Sequence, residues 1–61
     1  MKSFDNLHAG DIIENEEDGQ MSVMLYDFHG DGKRVLCFAS EKSVYLASEF
    51  DPEDWEKVEL A

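Results

Sequence analysis

The sequence predicts a mainly β fold, a small five-stranded barrel with one short helical turn before the last strand. The chain has 61 residues, so we expect a single domain covering residues 1–61. Four glycines and one proline divide the chain at intervals that suit short strands better than long helices. Hydrophobic residues make up 43% and aromatic residues 11% of the chain, which is enough to form a folded core.

The first half of the chain contains two predicted strands joined by a hairpin. Strand one covers residues 12–14, and strand two covers residues 21–28. Between them lies a polar turn at residues 15–19, whose Asp18-Gly19 pair is a hairpin signal.

Strand two and the later strand three (residues 34–39) are apolar on both alternating faces. A small sheet has one buried face, so the second apolar face needs a cover. Three alternatives could cover this second face: barrel curvature together with the Trp55 segment, a second copy in a homodimer, or a partner protein. In strand two, one face carries Met21, Val23 and Leu25, and the other carries Met24, Tyr26 and Phe28.

The second half predicts two more strands, a helical turn and a last strand. Strand three covers residues 34–39 and strand four residues 43–48, and the last strand covers residues 57–60. Asp51 suits an N-cap and Pro52 the first position of the intervening helical turn. Trp55 is expected to plug one end of the barrel. This is the strand order of an SH3-like barrel, in which closure hides the sheet edges. The alternative is an open antiparallel sheet with the C-terminal turn across one face.

The charge of the chain is its most unusual property. Fifteen Asp and Glu against five Lys and Arg give a formal net charge of −10, beyond the ~2–8 usual for a small domain. Solubility is one explanation, and a surface for a basic partner is the other. The same charge disfavours direct binding to nucleic acid or to an anionic membrane.

The acidic residues fall into two groups, near strand one and around the C-terminal turn. Because the first and last strands of such a barrel commonly pair, we expect one shared acidic surface with apolar anchors. The predicted binding residues are Asp11, Glu14, Glu16, Glu17, Asp18, Glu49, Phe50, Asp51, Glu53, Asp54, Trp55 and Glu56. Glu59 also belongs to the acidic group around the C-terminal turn, and Tyr45 is a further candidate apolar anchor.

Catalytic and metal-binding patterns are weak in this sequence. Residues 27–32 approach a calcium loop, but Phe38 stands where a bidentate Glu is required. His8, His29 and Cys37 lack the paired spacing of a metal site. No nucleophile, acid–base pair or phosphate loop stands in a recognisable setting. We therefore expect no enzyme, no metal and no cofactor.

The N-terminus and the cysteine count bear on the compartment. A basic region followed by an apolar run is missing after Met1, so no signal peptide is expected. No apolar run approaches the ~18 residues that span a bilayer. The single cysteine, Cys37, is expected to be a buried thiol. These features predict a complete, cytoplasmic protein.

The pattern Leu-x-x-Gly-Asp-Ile-Ile at residues 7–13 resembles the opening of small SH3-like proteins of bacteriophage and mobile-element genomes. An aromatic, an acidic helical turn and a short strand at residues 50–60 are similar to the way those proteins end. The resemblance spans most of the chain. It implies an SH3-like fold and a phage or mobile-element origin.

These observations predict an acidic protein-binding module. It would bind a basic, nucleic-acid-binding host protein and inhibit or modulate it, as a mimic of DNA. The alternative is a structural or assembly module that self-associates or docks through its apolar strands. In that case the acidic surface serves solubility only.

Overall fold

The computed structural model describes residues 1–59, which form one five-stranded antiparallel sheet and two 3₁₀ turns. The predicted mainly β class is therefore confirmed, with a helical turn before the last strand. The predicted end of that strand at Leu60 lies outside the described residues. The elements are β1 (Ile12–Asn15), β2 (Gly19–Tyr26), β3 (Val35–Ala39), β4 (Val44–Leu46), η1 (Ala47–Glu49), η2 (Pro52–Asp54) and β5 (Glu56–Lys57).

Neighbouring strands pair in the order β4-β3-β2-β1-β5, which is the strand order of an SH3-like barrel. The first and last strands pair as expected, with Ile13 opposite Lys57 and Glu14 opposite Glu56. Within residues 1–59 no ladder joins the edge strands β4 and β5. The two 3₁₀ turns occupy the chain between these edges, and η1 contacts β3.

A compact aromatic core lies on one side of the sheet. Phe38 and Ile13 are fully buried, and Trp55 is 1% exposed. Phe4 meets Phe38 edge to face at 4.8 Å between ring centroids. Smaller apolar side chains complete this core, which holds η2 and β5 against β1. They are Leu7, Met21, Val23 and Ala47.

Several strand boundaries differ from the predicted ones. β4 ends at Leu46, two residues earlier than predicted, because the chain turns at Ala47 and buries that side chain in the core. The Glu49 carboxylate accepts a hydrogen bond from the Leu46 N–H at 3.1 Å, which stabilises the turn. β5 comprises Glu56–Lys57, although the Val58 N–H still donates to the Ile12 carbonyl at 2.8 Å.

The second face of strands β2 to β4 is apolar and exposed. This apolar face consists of five side chains with exposed fractions of 39–47%, and residues 1–59 leave it uncovered. Cys37 lies on the same side of β3 by alternation, beneath these neighbours, and is fully buried. The five residues are Tyr26, Phe28, Val35, Val44 and Leu46.

Candidate functional site

An open groove of about 770 Å³ lies between the β1–β2 hairpin and the η2 segment. Of its ten lining residues, seven are Asp or Glu, and the other three are Asn15, Phe50 and Trp55. Both predicted acidic groups contribute to it, so the structure brings much of the predicted surface together. We call it the acidic groove; its carboxylates are Glu14, Glu16, Glu17, Asp18, Glu53, Asp54 and Glu56.

One wall of the acidic groove is the tip of the β1–β2 hairpin. Asn15 accepts the Asp18 N–H at 2.6 Å, and its amide donates to the Asp18 carboxylate at 3.1 Å. Gly19 has a φ of 74°, a left-handed conformation that closes a three-residue loop readily only with glycine. The turn is thus fixed by Asn15, Asp18 and Gly19, which leaves Glu16 and Glu17 exposed to solvent.

The opposite wall is the 3₁₀ turn η2. The Asp51 carboxylate accepts the Glu53 N–H at 3.0 Å, and Pro52 occupies the first position of the turn. The predicted N-cap and proline position are therefore confirmed. The cap fixes the direction of η2, and Glu53 and Asp54 are exposed along the groove.

At the sheet end of the groove, like charges face each other across a strand pair. Glu14 on β1 lies directly opposite Glu56 on β5, and such pairs are destabilising. Gln20 offers Glu14 a long hydrogen bond of 3.4 Å from its amide, which leaves the negative charge in place. A nearby cation would relieve the repulsion.

The groove floor is aromatic. Phe50 is half-buried and packs against Phe38, Tyr45 and Trp55, with ring centroids 5.5–5.7 Å apart. Trp55 is only 1% exposed, so it supports the floor and has almost no surface for a partner. Its predicted burial is confirmed, and its place at one end of a barrel stays a prediction. Phe50 is the aromatic that a ligand in the groove could reach.

No cation lines the acidic groove, and no ion pair neutralises it within residues 1–59. The Lys–carboxylate ion pair of the described chain joins Lys57 to Asp11 at 3.6 Å, and the His8 ring approaches the same carboxylate at 3.9 Å. The carboxylates of the groove lining therefore repel one another, and the nearest fixed positive charge on the η2 wall is the N-terminal ammonium of Met1, which donates to the Pro52 and Trp55 carbonyls at 3.0 and 2.8 Å. This arrangement favours a cationic ligand.

Three predicted binding residues lie outside the groove lining. Asp11 is held in a turn by the His8 N–H at 2.8 Å, and this hydrogen bond, with Lys57 nearby, lowers the pKa of its carboxyl below 3.8. Glu49 caps the end of β4, and Asp51 caps η2. All three are engaged with the backbone, so they shape the structure near the groove and are not among its free carboxylates.

The loop that approaches a calcium pattern uses its carboxylate internally. Asp27 accepts the N–H groups of His29, Gly30, Asp31 and Gly32 at 2.7–3.3 Å. These bonds, that of Gly32 foremost, lower the pKa of Asp27 below 3.8. No three His, Cys, Asp or Glu residues among positions 1–59 are grouped so as to hold a metal ion.

Cys37 is the only cysteine of the chain. Burial raises the pKa of its thiol above 9.0, and the thiol donates to the Val35 carbonyl at 3.5 Å. It is the buried thiol that the sequence predicted.

One feature of the site was missed by the sequence analysis, and another was predicted only in part. Asn15 orients the acidic hairpin by accepting the Asp18 N–H, and the available signal was an asparagine at the start of a polar turn. The apolar face was predicted only as one of the two apolar sides of strands two and three. The residues of β4 that belong to it were identified by the register, in which Tyr26 lies opposite Val35 and Cys37 lies opposite Leu46.

No protein-family model, curated protein or solved structure matches this chain. The resemblance to small phage-type SH3-like proteins therefore stays a prediction from the sequence. In residues 1–59 no helix has the length and apolar character needed to cross a membrane.

Proposed function

We propose that the protein is a binding module whose acidic groove receives a basic segment of a partner protein. The partner is a nucleic-acid-binding protein of a bacterial host cell, bound at the surface that otherwise contacts phosphates and thereby inhibited or modulated. The proposal includes a phage or mobile-element origin and a cytoplasmic location.

This proposal rests on one observation: seven carboxylates line the groove, and no cation stands among the lining residues. A folded protein stabilises itself by dispersing like charges, yet Glu14 and Glu56 are directly opposite each other. Such repulsion lowers the stability of the free protein. A cationic ligand would offset it, so part of the binding free energy comes from charge repulsion already present in the free groove.

Phe50 adds a reason to favour arginine in the partner. Its ring is half-buried at the groove floor, next to walls of carboxylates. A guanidinium group can stack on an aromatic ring and pair with a carboxylate at once, and stacking contributes ~0.5–1 kcal/mol at an exposed site. DNA-binding surfaces are rich in arginine, which suits a partner of this class.

A binding role fits the groove better than catalysis. Its lining contains no Ser, Thr, Cys, His, Lys or Tyr, the side chains that most often act as nucleophiles or bases beside a carboxylate. The groove is open along its length, whereas tuning a carboxylate for acid–base work requires a site that excludes water. The same negative field opposes direct binding to nucleic acid and to anionic membranes.

Two triple variants with equal net charge test the proposal. The groove variant is Glu16→Gln, Glu17→Gln and Asp54→Asn, and the control variant is Glu41→Gln, Glu59→Gln and Asp5→Asn. None of these six carboxylates takes part in a hydrogen bond or ion pair within residues 1–59. Each variant removes three charges from the net −10, so bulk charge is matched.

The wild type and both variants are immobilised and exposed to bacterial proteins first eluted from DNA-cellulose. The wild type and the control variant should retain the same protein, and duplex DNA should compete for it. The groove variant should lose most of this retention. Equal retention by the two variants, or retention that duplex DNA leaves unchanged, would contradict the proposal.

A second candidate function, a structural or assembly module, is favoured by a different observation. The apolar face of β2, β3 and β4 is exposed, and it shares no lining residue with the acidic groove. The two functions are therefore compatible in one molecule.

A further inference from the structure

We infer that the apolar face is the interface between two copies of this chain related by a two-fold axis. The face is one continuous surface. Tyr26 meets Phe28 edge to face at 4.8 Å and lies opposite Val35 on β3. Phe28 and Val35 line a shallow depression together with Val44 and Leu46.

The size of the face suits a small dimer. With exposed fractions of 39–47%, and full side-chain areas of about 150–250 Å² for the aromatic rings, the five residues expose on the order of 400 Å². Two such faces together expose roughly 800 Å², so the polar rims supply the rest of the ~1,200 Å² at the lower end of stable interfaces. An interface of this size suits a weak, reversible dimer.

The charges around the face are self-complementary, which favours a second copy over the basic partner of the groove. Lys33 lines the same depression as Asp31 and Glu49, and a two-fold axis can place the cation of one copy against the acids of the other. Lys33, Arg34 and Lys42 flank β3, and none forms an ion pair within residues 1–59. These three cations repel a basic ligand.

The edge of the sheet beside this face disfavours strand-to-strand pairing. The Glu49 carboxylate accepts the Leu46 N–H at 3.1 Å, so a buried edge would enclose a charge. The copies therefore meet face to face. The lining of the acidic groove shares no residue with this face, so the dimer carries two open grooves.

Sedimentation of the full chain without any partner tests this inference, with protein from about 5 to 500 µM. The average mass should rise to that of a dimer and level there. Raising NaCl from about 0.05 to 0.5 M should strengthen association, because screening the repulsion between two chains of net charge −10 outweighs the small loss of attraction at the exposed charges around the face.

Variants locate the interface. The Val35→Thr, Val44→Thr pair keeps β-branched side chains in their strands and should raise the dimer dissociation constant about tenfold, a change of 1.4 kcal/mol. Val44→Lys is a second, more disruptive variant. Leu25→Thr is the control, since Leu25 is 47% exposed but points to the other side of β2. Circular dichroism and Trp55 fluorescence verify folding.

Three results would overturn the inference: a monomer throughout the concentration range, growth beyond the dimer, or unchanged association of the valine pair. The first would assign the face to a different partner. The groove variant Glu16→Gln, Glu17→Gln, Asp54→Asn should dimerise at least as tightly as the wild type. Sedimentation therefore tests the dimer independently of the groove proposal, which the retention experiment tests.

Discussion

Asp27 shows how one side chain organises a whole loop of this small protein. Its carboxylate accepts four consecutive backbone N–H groups, from His29 to Gly32. Within residues 1–59, the one other side-chain hydrogen bond of the loop between β2 and β3 runs from the Lys33 N–H to the Asp31 carboxylate at 3.0 Å. The conformation of this loop, which includes Phe28 and Lys33 beside the apolar face, therefore depends on the ionised carboxylate.

Asp27→Asn should lower the free energy of unfolding at pH 7. It should also make the free energy of unfolding less dependent on pH below about pH 4. The hydrogen bonds hold the pKa of Asp27 below 3.8 in the folded chain. The ionised carboxylate therefore stabilises the fold fully at pH values above its pKa in the unfolded chain. This contribution is lost as the pH falls through the lower pKa that Asp27 has in the folded chain. Chemical unfolding from pH 7 to about pH 2.5 measures this. Asp5→Asn is the control, and an unchanged loss of stability in acid for Asp27→Asn would contradict the assignment.

At the residue scale, the sequence predicted local interactions well. The Asp51 cap and Pro52 position follow from neighbours one or two residues away, and both are confirmed. The burial of Cys37 and Trp55 is also confirmed. The role of Asp27 was not predicted, because its four bonds depend on how the Gly-rich loop folds back, and spacing alone resembles an incomplete calcium loop.

At the scale of elements, the pairing of β1 with β5 decides the character of the acidic groove. It places Glu14 opposite Glu56 and brings η2 beside the β1–β2 hairpin. The sequence predicted this pairing from the strand order of an SH3-like barrel. The exact register, and with it the facing carboxylates, required the structure.

Glu56→Gln should stabilise the free protein by a few tenths of a kcal/mol, since it removes a like-charge pair across the ladder. The gain should shrink as salt is raised, because the charges are exposed to solvent. Urea unfolding at about 0.05 and 0.5 M NaCl measures both effects. Glu59→Gln, outside the strand pair, serves as control. A loss of stability on Glu56→Gln would show that the ladder does not bring the two carboxylates together.

Asp51→Ala should destabilise the fold by about 1 kcal/mol, because it removes the side-chain acceptor that caps η2. Asp51→Asn keeps an acceptor and should retain most of the stability. The free energy of unfolding in urea distinguishes them, with the fluorescence of Trp55 as the signal. Equal stability of the two variants would mean that the cap at 3.0 Å contributes nothing to the fold.

The predicted elements failed where tertiary contacts override local propensity. Strand four was predicted to reach residue 48, but Ala47 turns into the core and starts η1. Strand two was predicted to reach Phe28, but it ends at Tyr26, because the carboxylate of the next residue, Asp27, accepts hydrogen bonds from the loop N–H groups. Alternating apolar residues continue past both points, so periodicity alone could not locate either end.

At the scale of the whole molecule, charge and apolar surface are separated. Seven carboxylates line the acidic groove, while Lys33, Arg34 and Lys42 flank the strand at the centre of the apolar face. The net charge of −10 therefore does not describe the local charge of either the acidic groove or the apolar face. Much of the acidic groove was predicted by pairing the first and last strands, whereas the extent of the apolar face depends on the sheet register.

The two surfaces should respond to salt in opposite directions. Partner binding at the acidic groove should weaken steeply between about 0.05 and 0.5 M NaCl, because screening removes its main attraction. Self-association through the apolar face should strengthen over the same range. Affinity and sedimentation measurements in matched buffers test this. A partner that binds equally well at both salt concentrations would contradict binding through charge.

The most direct test of the acidic groove is a map of backbone amide chemical shifts during titration with a short arginine-rich peptide. We expect the shifts to concentrate at residues 14–18, 50 and 53–56, and the Glu16→Gln, Glu17→Gln, Asp54→Asn variant to lose them. Shifts spread evenly over all acidic segments, with Asp5 and Glu41 affected as strongly as Glu16 and Glu53, would contradict it.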